Sequence, residues 1–132
     1  MSKKNGFVLS IVLPASAEKI YKAWLNSNGH TTMTGSPAKA TSRVGGKFTA
    51  WDGYIFGKNL ELEPHHRIVQ AWRTSEFPEE APDSRVEILL KEVKGGTKVT
   101  LKHRDMPEDQ VASYKQGWED FYFKPMKEYF DN

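Results

Sequence analysis

Cysteine is absent from this chain of 132 residues. That excludes a disulfide framework, a thiol nucleophile and a thiolate metal site, and it suits a reducing, cytoplasmic setting. Charge of one sign is also lacking. Nineteen Lys and Arg against 17 Asp and Glu leave a net charge of +2, too near neutral to argue for nucleic acid. No basic cluster is interleaved with aromatics in the manner of an RNA platform. Long hydrophobic runs are missing. The apolar run near the start, Phe7 to Leu13, is interrupted by Ser10, is too short to span a bilayer, and is followed by no convincing cleavage site. The motifs of common chemistries are missing too: no HExxH, GxSxG, phosphate-binding loop or spaced carboxylate pair. There is no internal repeat, linker or low-complexity tract. Length and composition allow one domain, residues 1–132, with one core.

What is present is a ring-rich stretch near the end, PEDQVASYKQGWEDFYFKPMKEYF, from Pro107 to Phe130. Val111, Tyr114, Trp118, Phe121, Tyr122, Met126 and Tyr129 recur at steps of three and four, the period of one helical face. Pro107 suits the first turn, where a backbone donor is not needed. Glu108 and Asp109 favour the positive end of the dipole, and Lys124 and Lys127 the negative end. Asp120 and Lys124 are spaced i,i+4, acid first. The spacing predicts one long amphipathic helix. Its aromatic face is either plain core or, because flat rings leave gaps, the wall of a pocket for a small ligand.

Ahead of it the pattern is mostly strands. Phe7 to Leu13 reads as a strand buried on much of both faces. Pro14 ends it, Ser16 caps a helix that runs to about Leu25, and Ala17, Ile20, Tyr21 and Trp24 share its apolar side. Asn26 to Gly29 breaks that helix, and His30 to Pro37 reads as a polar connection holding Met33. Ala38 to Arg43 is a candidate short strand. Strands then follow over Lys47 to Trp51, Tyr54 to Glu63, Ile68 to Arg73, Arg85 to Val93 and Thr97 to His103. Asp52-Gly53 is a hairpin signal, Lys94-Gly95-Gly96 a tight turn, and Ser75 to Asp83 an exposed acidic loop. Short turns imply antiparallel neighbours. One long amphipathic helix is then the cover for one face of the sheet. The expected class is α+β: a curved antiparallel sheet of about six or seven strands gripping a C-terminal helix, in the order β-α-β(5-6)-α.

Candidate site residues come from that seam. Trp24, Trp51, Trp72, Trp118, Tyr122 and Met126 are expected to line a cavity, with Gln70 and His103 as polar anchors and Met33, beside His30, near the mouth. Alternation sets Trp51 opposite to Phe48, which makes it the least secure of these. Gln70 lies between Ile68 and Trp72 on the inward face. A buried amide without partners costs on the order of 1–3 kcal/mol, so Gln70 needs a water, a neighbour such as Tyr114 or Tyr122, or a ligand. His103 shares a face with Val99 and Leu101, as a hydrogen-bonded rim residue or a base. The adjacent His65 and His66 sit at a turn and point to opposite faces, unsuited to chelating one ion. Glu61 and Glu63 face solvent or straddle a bulge near Gly57. No metal or cofactor is expected.

The stretch GGKFTAWDGYIFGKNLELEPHHRIVQAWR, Gly45 to Arg73, followed by HRDMP and YKQGWEDFYFKPMKEYF, resembles a known family. It is similar to the C-terminal domain of the activator of heat-shock protein 90 ATPase and to small bacterial proteins related to it. The signposts are Gly45-Gly46-Lys47-Phe48, Asp52-Gly53, Gly57, Leu62, Pro64, Ile68-Val69, Trp72-Arg73, Gly117-Trp118 and Tyr122-Phe123. The resemblance implies the helix-grip fold of the START-like (polyketide cyclase and lipid-transfer) superfamily, with a cavity between sheet and helix. The eukaryotic activators carry a further N-terminal domain that makes the principal chaperone contact; the likeness here starts at the first strand of the C-terminal domain. Three functions are in play. The first is a non-enzymatic module holding a small hydrophobic molecule. The second is a co-chaperone-like protein touching a heat-shock protein 90 homologue. The third is a cyclase-like enzyme with His103 or Tyr122 as general acid, which requires the two to converge on one cavity.

Overall fold

After the second strand the chain folds each strand back on its predecessor, and the resulting sheet is antiparallel throughout. The computed structural model describes residues 6–131. Its strands are β1 (Gly6–Leu13), β2 (Lys47–Ala50), β3 (Ile55–Glu63), β4 (Arg67–Thr74), β5 (Ser84–Val93) and β6 (Gly96–Arg104). Their order is β1-β6-β5-β4-β3-β2, which leaves β1 and β2 as the edges. β1 returns to pair with the last strand, from Gly6 opposite Arg104 to Leu13 opposite Thr97. The outer face of the sheet is uncovered, so alternate side chains of β1 meet water. Val8 and Val12 are exposed, so this strand is not buried on both faces as its composition suggested.

The predicted strand over Ala38 to Arg43 reduces to one bridge, Lys39 with Thr49. Its backbone is occupied elsewhere: Ser27 Oγ exchanges hydrogen bonds with the Ala40 backbone, and Thr31 Oγ1 with that of Ala38. Those threonine and serine side chains stand on a helix, where a break over Asn26 to Gly29 and a polar connection from His30 are expected. Helix α1 (Ala17–Trp24) is capped by Ser16, whose side chain accepts from Lys19 N, and it buries Ala17, Ile20, Tyr21 and Trp24 as expected. Asn26 then caps a second helix, α2 (Ser27–Thr34), by accepting from Gly29 N, and Gly35 closes it in the left-handed region at φ 83°. The same residues that break α1 start α2.

Two glycines fix the sheet. A Cβ on Gly57 would sit 1.8 Å from the Ala71 carbonyl oxygen, so the pairing of β3 with β4 leaves no room for a side chain at that position. The bulge lies just beyond, between Asn59 and Glu61. At that irregularity Glu61 turns to the Arg67 and Arg85 guanidiniums, which hold its carboxyl below the usual range. At the β5–β6 turn Gly96 lies against the Leu13 carbonyl, which a Cβ would meet at 1.9 Å.

The terminal segment is helical but not one uniform α-helix. A 3₁₀ turn (Glu108–Gln110) leads into α3 (Val111–Trp118), a π-helical turn (Glu119–Phe123) follows, and α4 (Lys124–Phe130) ends it. Pro107 stands just ahead of the first turn, with ψ 132°. Pro125 accounts for the wide turn. It has no N–H for the Phe121 carbonyl, and its ring would strike that carbonyl in a regular helix. The extra residue shifts the buried face by one position. Tyr114, Trp118, Tyr122, Phe123, Met126 and Phe130 are buried, whereas Phe121 and Tyr129, expected inside, are exposed. Trp118 and Tyr122 point into the core at 3% exposure each, which confirms the gripped face.

Candidate functional site

Two buried imidazoles pin the ring-bearing helix. His103 comes from β6, where alternation with Val99 and Leu101 turns it inward; it is 1% exposed, an interior residue rather than a rim one. Ser84 Oγ donates to the Trp72 carbonyl at 2.6 Å, so its lone pair faces His103 Nε2 at 2.8 Å and that nitrogen carries the proton. His103 Nδ1 is then free to accept from Trp118 Nε1 at 2.9 Å. His30, on α2, has the opposite tautomer. Its Nδ1 donates to the Trp24 carbonyl at 2.9 Å, and its Nε2 accepts from the Tyr122 hydroxyl at 2.8 Å. Burial holds both imidazoles neutral, lowering His30 and taking His103 down to about 3. Burial likewise pushes the Tyr122 phenol up, so it stays a donor. Helix positions 118 and 122, four apart, are thus latched to β6 and to α2.

A pocket of about 290 Å³ opens beside this latch. Its walls are Trp51 and Tyr54 from the β2–β3 turn, Ile55, Trp72 from β4, and Ser113, Tyr114, Gly117, Trp118, Phe121 and Tyr122 from the terminal helix. None of these side chains is ionised at neutral pH. Larger hollows exist, such as one of about 440 Å³ bounded by Glu18, His65, His66, Lys91 and Glu92. Its lining is mostly charged or polar, and none of it comes from the terminal helix. No group of His, Asp or Glu among the described residues is placed to hold a metal ion.

Of the candidates read from sequence, Trp51, Trp72, Trp118 and Tyr122 line the pocket. Trp24, Met33, Gln70, His103 and Met126 do not; they are buried in the packing behind it. Trp24 stacks on Tyr122 with ring centroids 5.2 Å apart and on Trp118 at 6.1 Å. Gln70 faces inward with protein partners. Its amide donates to Asn59 Oδ1 at 2.9 Å and makes a long 3.5 Å contact with Trp24 Nε1, not with Tyr114 or Tyr122. Asn59 passes the chain on to the carbonyls of Thr41 and Arg43. His103 and Tyr122 do not converge on the cavity. Tyr122 reaches it with its hydroxyl committed to His30, and His103 is outside the lining.

Sequence reasoning missed Tyr54, Ile55, Ser113, Tyr114, Gly117 and Phe121 as pocket residues, and the inward role of His30. The signal for Ser113 and Gly117 was there. Ser113, Gly117 and Phe121 form a second stripe at steps of four, beside Tyr114, Trp118 and Tyr122, and its small residues leave room. Tyr114 stands in the wall with its hydroxyl 2.7 Å from Thr74 Oγ1 and donated to Gln110. Burial pushes its pKa above the ordinary phenol value. At the lip, Trp51 has φ 51° and Asp52 φ 58°, so the expected strand residue Trp51 belongs to a four-residue turn with Asp52, Gly53 and Tyr54. Phe121, 54% exposed, meets the Trp51 ring edge-on at 5.4 Å.

Six antiparallel strands closed over a C-terminal helix, with a ring-lined pocket at the seam, define a helix-grip, START-like domain. Solved structures share the architecture. An HSP90 activator from Plasmodium falciparum superposes with a TM-score of 0.83 at 25% identity, covering 92% of this chain and 93% of that one. The chain belongs to the family described as "Activator of Hsp90 ATPase homolog 1-like protein", whose model matches residues 14–131. The activator of 90 kDa heat shock protein ATPase homolog 1 of Homo sapiens is 28% identical over 115 residues, which are 87% of this chain and 34% of that protein. The Dictyostelium discoideum homologue is 30% identical over 99 residues, 74% of this chain and 26% of that protein. The chain thus spans about a third or less of the length of these curated relatives. DynU16, a putative protein in the dynemicin biosynthetic locus, shares the fold alone. Its TM-score is 0.80 at 18% identity, covering 98% of this chain and 48% of that one. No helix among the described residues is long and apolar enough to cross a membrane.

Proposed function

We propose that this domain is a non-enzymatic binding module that holds a small, mostly apolar molecule in the pocket between the β2–β3 turn and the terminal helix. The observation that carries the reading is the pocket's wall: uncharged rings around about 290 Å³, backed by side chains whose polar atoms are already paired. Rigid rings lose little entropy when they clasp a ligand, and a preformed apolar cleft is the usual shape of such a site. The buried histidines support binding over catalysis, because each imidazole nitrogen already has a protein partner. A general acid or base needs a free one within reach of its substrate.

Gly117 supplies the test. A Cβ there meets nothing closer than Phe121 Cδ2 at 3.9 Å, so a larger side chain enters the pocket without striking backbone. In a thermal-shift screen against lipids and aromatic metabolites, hits at a hundred times Kd stabilise the wild type by about 2.7 kcal/mol, several degrees in Tm. They leave Gly117→Leu unshifted. A library without hits, or hits that persist in Gly117→Leu, rejects the reading.

A second reading is contact with a heat-shock protein 90 homologue, favoured by family membership and by the human relative's activity as an ATPase activator. A pull-down and a chaperone ATPase assay with and without this chain decide it. Binding that survives Gly117→Leu belongs to the surface; no binding at high micromolar concentration rejects this reading.

A further inference from the structure

The sheet has two edges, and only one is guarded. β2 is four residues long, begins with Lys47, and is partly covered by the Lys39–Thr49 bridge. Shortness, lysine and cover are devices that keep an edge from pairing with another chain. β1 has none of them. It runs for eight residues with no charged side chain, no proline and an unbroken register against β6. Its outer backbone is open. Leu90 N donates to the His66 carbonyl, on the β4 side of β5. Alternation then aims the odd-numbered residues of β5 at β6, those of β6 at β1, and those of β1 back at β6. Phe7, Leu9, Ile11 and Leu13 spend their N–H and C=O groups there. Val8, Ser10 and Val12 direct theirs to the free edge, where they have no partner among the described residues.

The side chains of this strand match one another about its middle. In Phe7-Val8-Leu9-Ser10-Ile11-Val12-Leu13, Leu9 mirrors Ile11, Val8 mirrors Val12 and Phe7 mirrors Leu13. We propose that β1 is a self-recognition edge: two copies of this chain pair antiparallel through it, Ser10 opposite Ser10, and join their sheets into one. A twofold axis at Ser10 sets Val8 against the partner's Val12 on the outer face and Leu9 against the partner's Ile11 on the inner one. Val8 and Val12 are 62% and 45% exposed, and Leu9 and Ile11 are half-buried, so each has apolar surface left to cover. The pairs Val8–Val12, Ser10–Ser10 and Val12–Val8 each exchange two backbone hydrogen bonds. Pairing stops where Gly6 meets Pro14, which has no N–H to give. Charge does not oppose it. Lys98 and Lys102 of β6 stand three strand spacings from their counterparts, about 14 Å, beyond the screening length of about 8 Å at physiological salt. A seam roughly 24 Å long and one strand wide is small beside a standard interface, so the dimer forms at high concentration.

Sedimentation equilibrium of the full chain, with no ligand present, tests this apart from the pocket. From about 10 µM to about 1 mM the weight-average mass of the wild type climbs from that of one chain toward that of two, as a small interface requires. Val8→Lys places a charge on an exposed edge position, and Ser10→Pro removes an N–H that β6 does not use. Each variant keeps the mass of one chain over the same range. In a mixture of ¹³C-labelled and unlabelled wild type, an intermolecular NOE between the α protons of Leu9 and Ile11 reports the register, because that facing pair shares no hydrogen bond and its backbones lie closest. A wild type that stays a single chain at about 1 mM overturns the proposal and leaves the edge to an extended segment of another protein. A dimer that both variants leave intact, or one whose NOE contacts lie away from β1, overturns it too. Should Ser10→Pro not fold, Val8→Lys and the NOE decide.

Discussion

Acidification attacks this fold through its two latching imidazoles. In the native state a proton added to His103 Nδ1 would set one N–H against another, because Trp118 Nε1 already donates there at 2.9 Å. Burial also penalises the charge and holds His103 down to about 3. In the unfolded chain the same imidazole takes up its proton near pH 6.5. The unfolded state therefore binds more protons below that pH, and stability falls as pH falls from about 6.5 toward 3. The slope is about 1.4 kcal/mol per pH unit, so His103 removes about 2 kcal/mol by pH 5. His30, lowered by burial as well, adds to the loss in the same direction. That is a large part of the 5–15 kcal/mol that holds a typical domain together. The assay is urea unfolding followed by tryptophan fluorescence at pH 7.5, 6.5, 5.5 and 5.0. Above pH 5.5 carboxylates are almost wholly ionised in both states, so the slope there belongs to the histidines; nearer pH 5 Glu18 and Glu61, held low by their cationic partners, add a little in the same direction. Constant stability across this range would refute the reasoning, as would a native His103 that titrates near 6.5 by NMR.

Four further outcomes follow from named contacts. Trp118→Phe leaves His103 Nδ1 buried without its donor, which costs about 1–3 kcal/mol at pH 7; it also flattens the acid slope, since the imidazole then gains room for a proton. Gly57→Ala drives a methyl group into the Ala71 carbonyl and lowers the urea-derived stability by roughly 2 kcal/mol or more, or prevents folding. Gly117→Ala, with its methyl in open space on a helix, raises stability by about 0.5–1 kcal/mol. Phe121→Ser changes an exposed side chain, so stability moves by less than about 0.5 kcal/mol while the affinity of pocket ligands falls several-fold.

Much of the fold was legible because its elements follow simple periods. Val86, Ile88 and Leu90 on β5, and Val99, Leu101 and His103 on β6, alternate and are all buried. The inward turn of Trp118 and Tyr122 followed from helical spacing. Helix α2 escaped because SNGHTTMT has few apolar residues, and its cap, Asn26, doubles as the stop of α1. The phase shift after residue 119 comes from Pro125, a helix-interior proline whose missing N–H widens one turn and breaks the regular spacing. Trp51 was misplaced because alternation ends where the chain enters positive φ. The site was half legible for a related reason. Pattern tells which rings face inward, but not which of them fill space and which leave it. Trp24 and Met126 fill it; Ser113 and Gly117, too small to attract notice, leave it.

The most direct measurement is a ¹H–¹⁵N titration of wild type and Gly117→Leu with indane. The account predicts saturable shifts at the Gly117 amide and the Trp51 and Trp72 indoles of the wild type, with α1 unmoved, and none in the variant. Saturation with equal affinity in both proteins, or shifts centred on another surface, would contradict it.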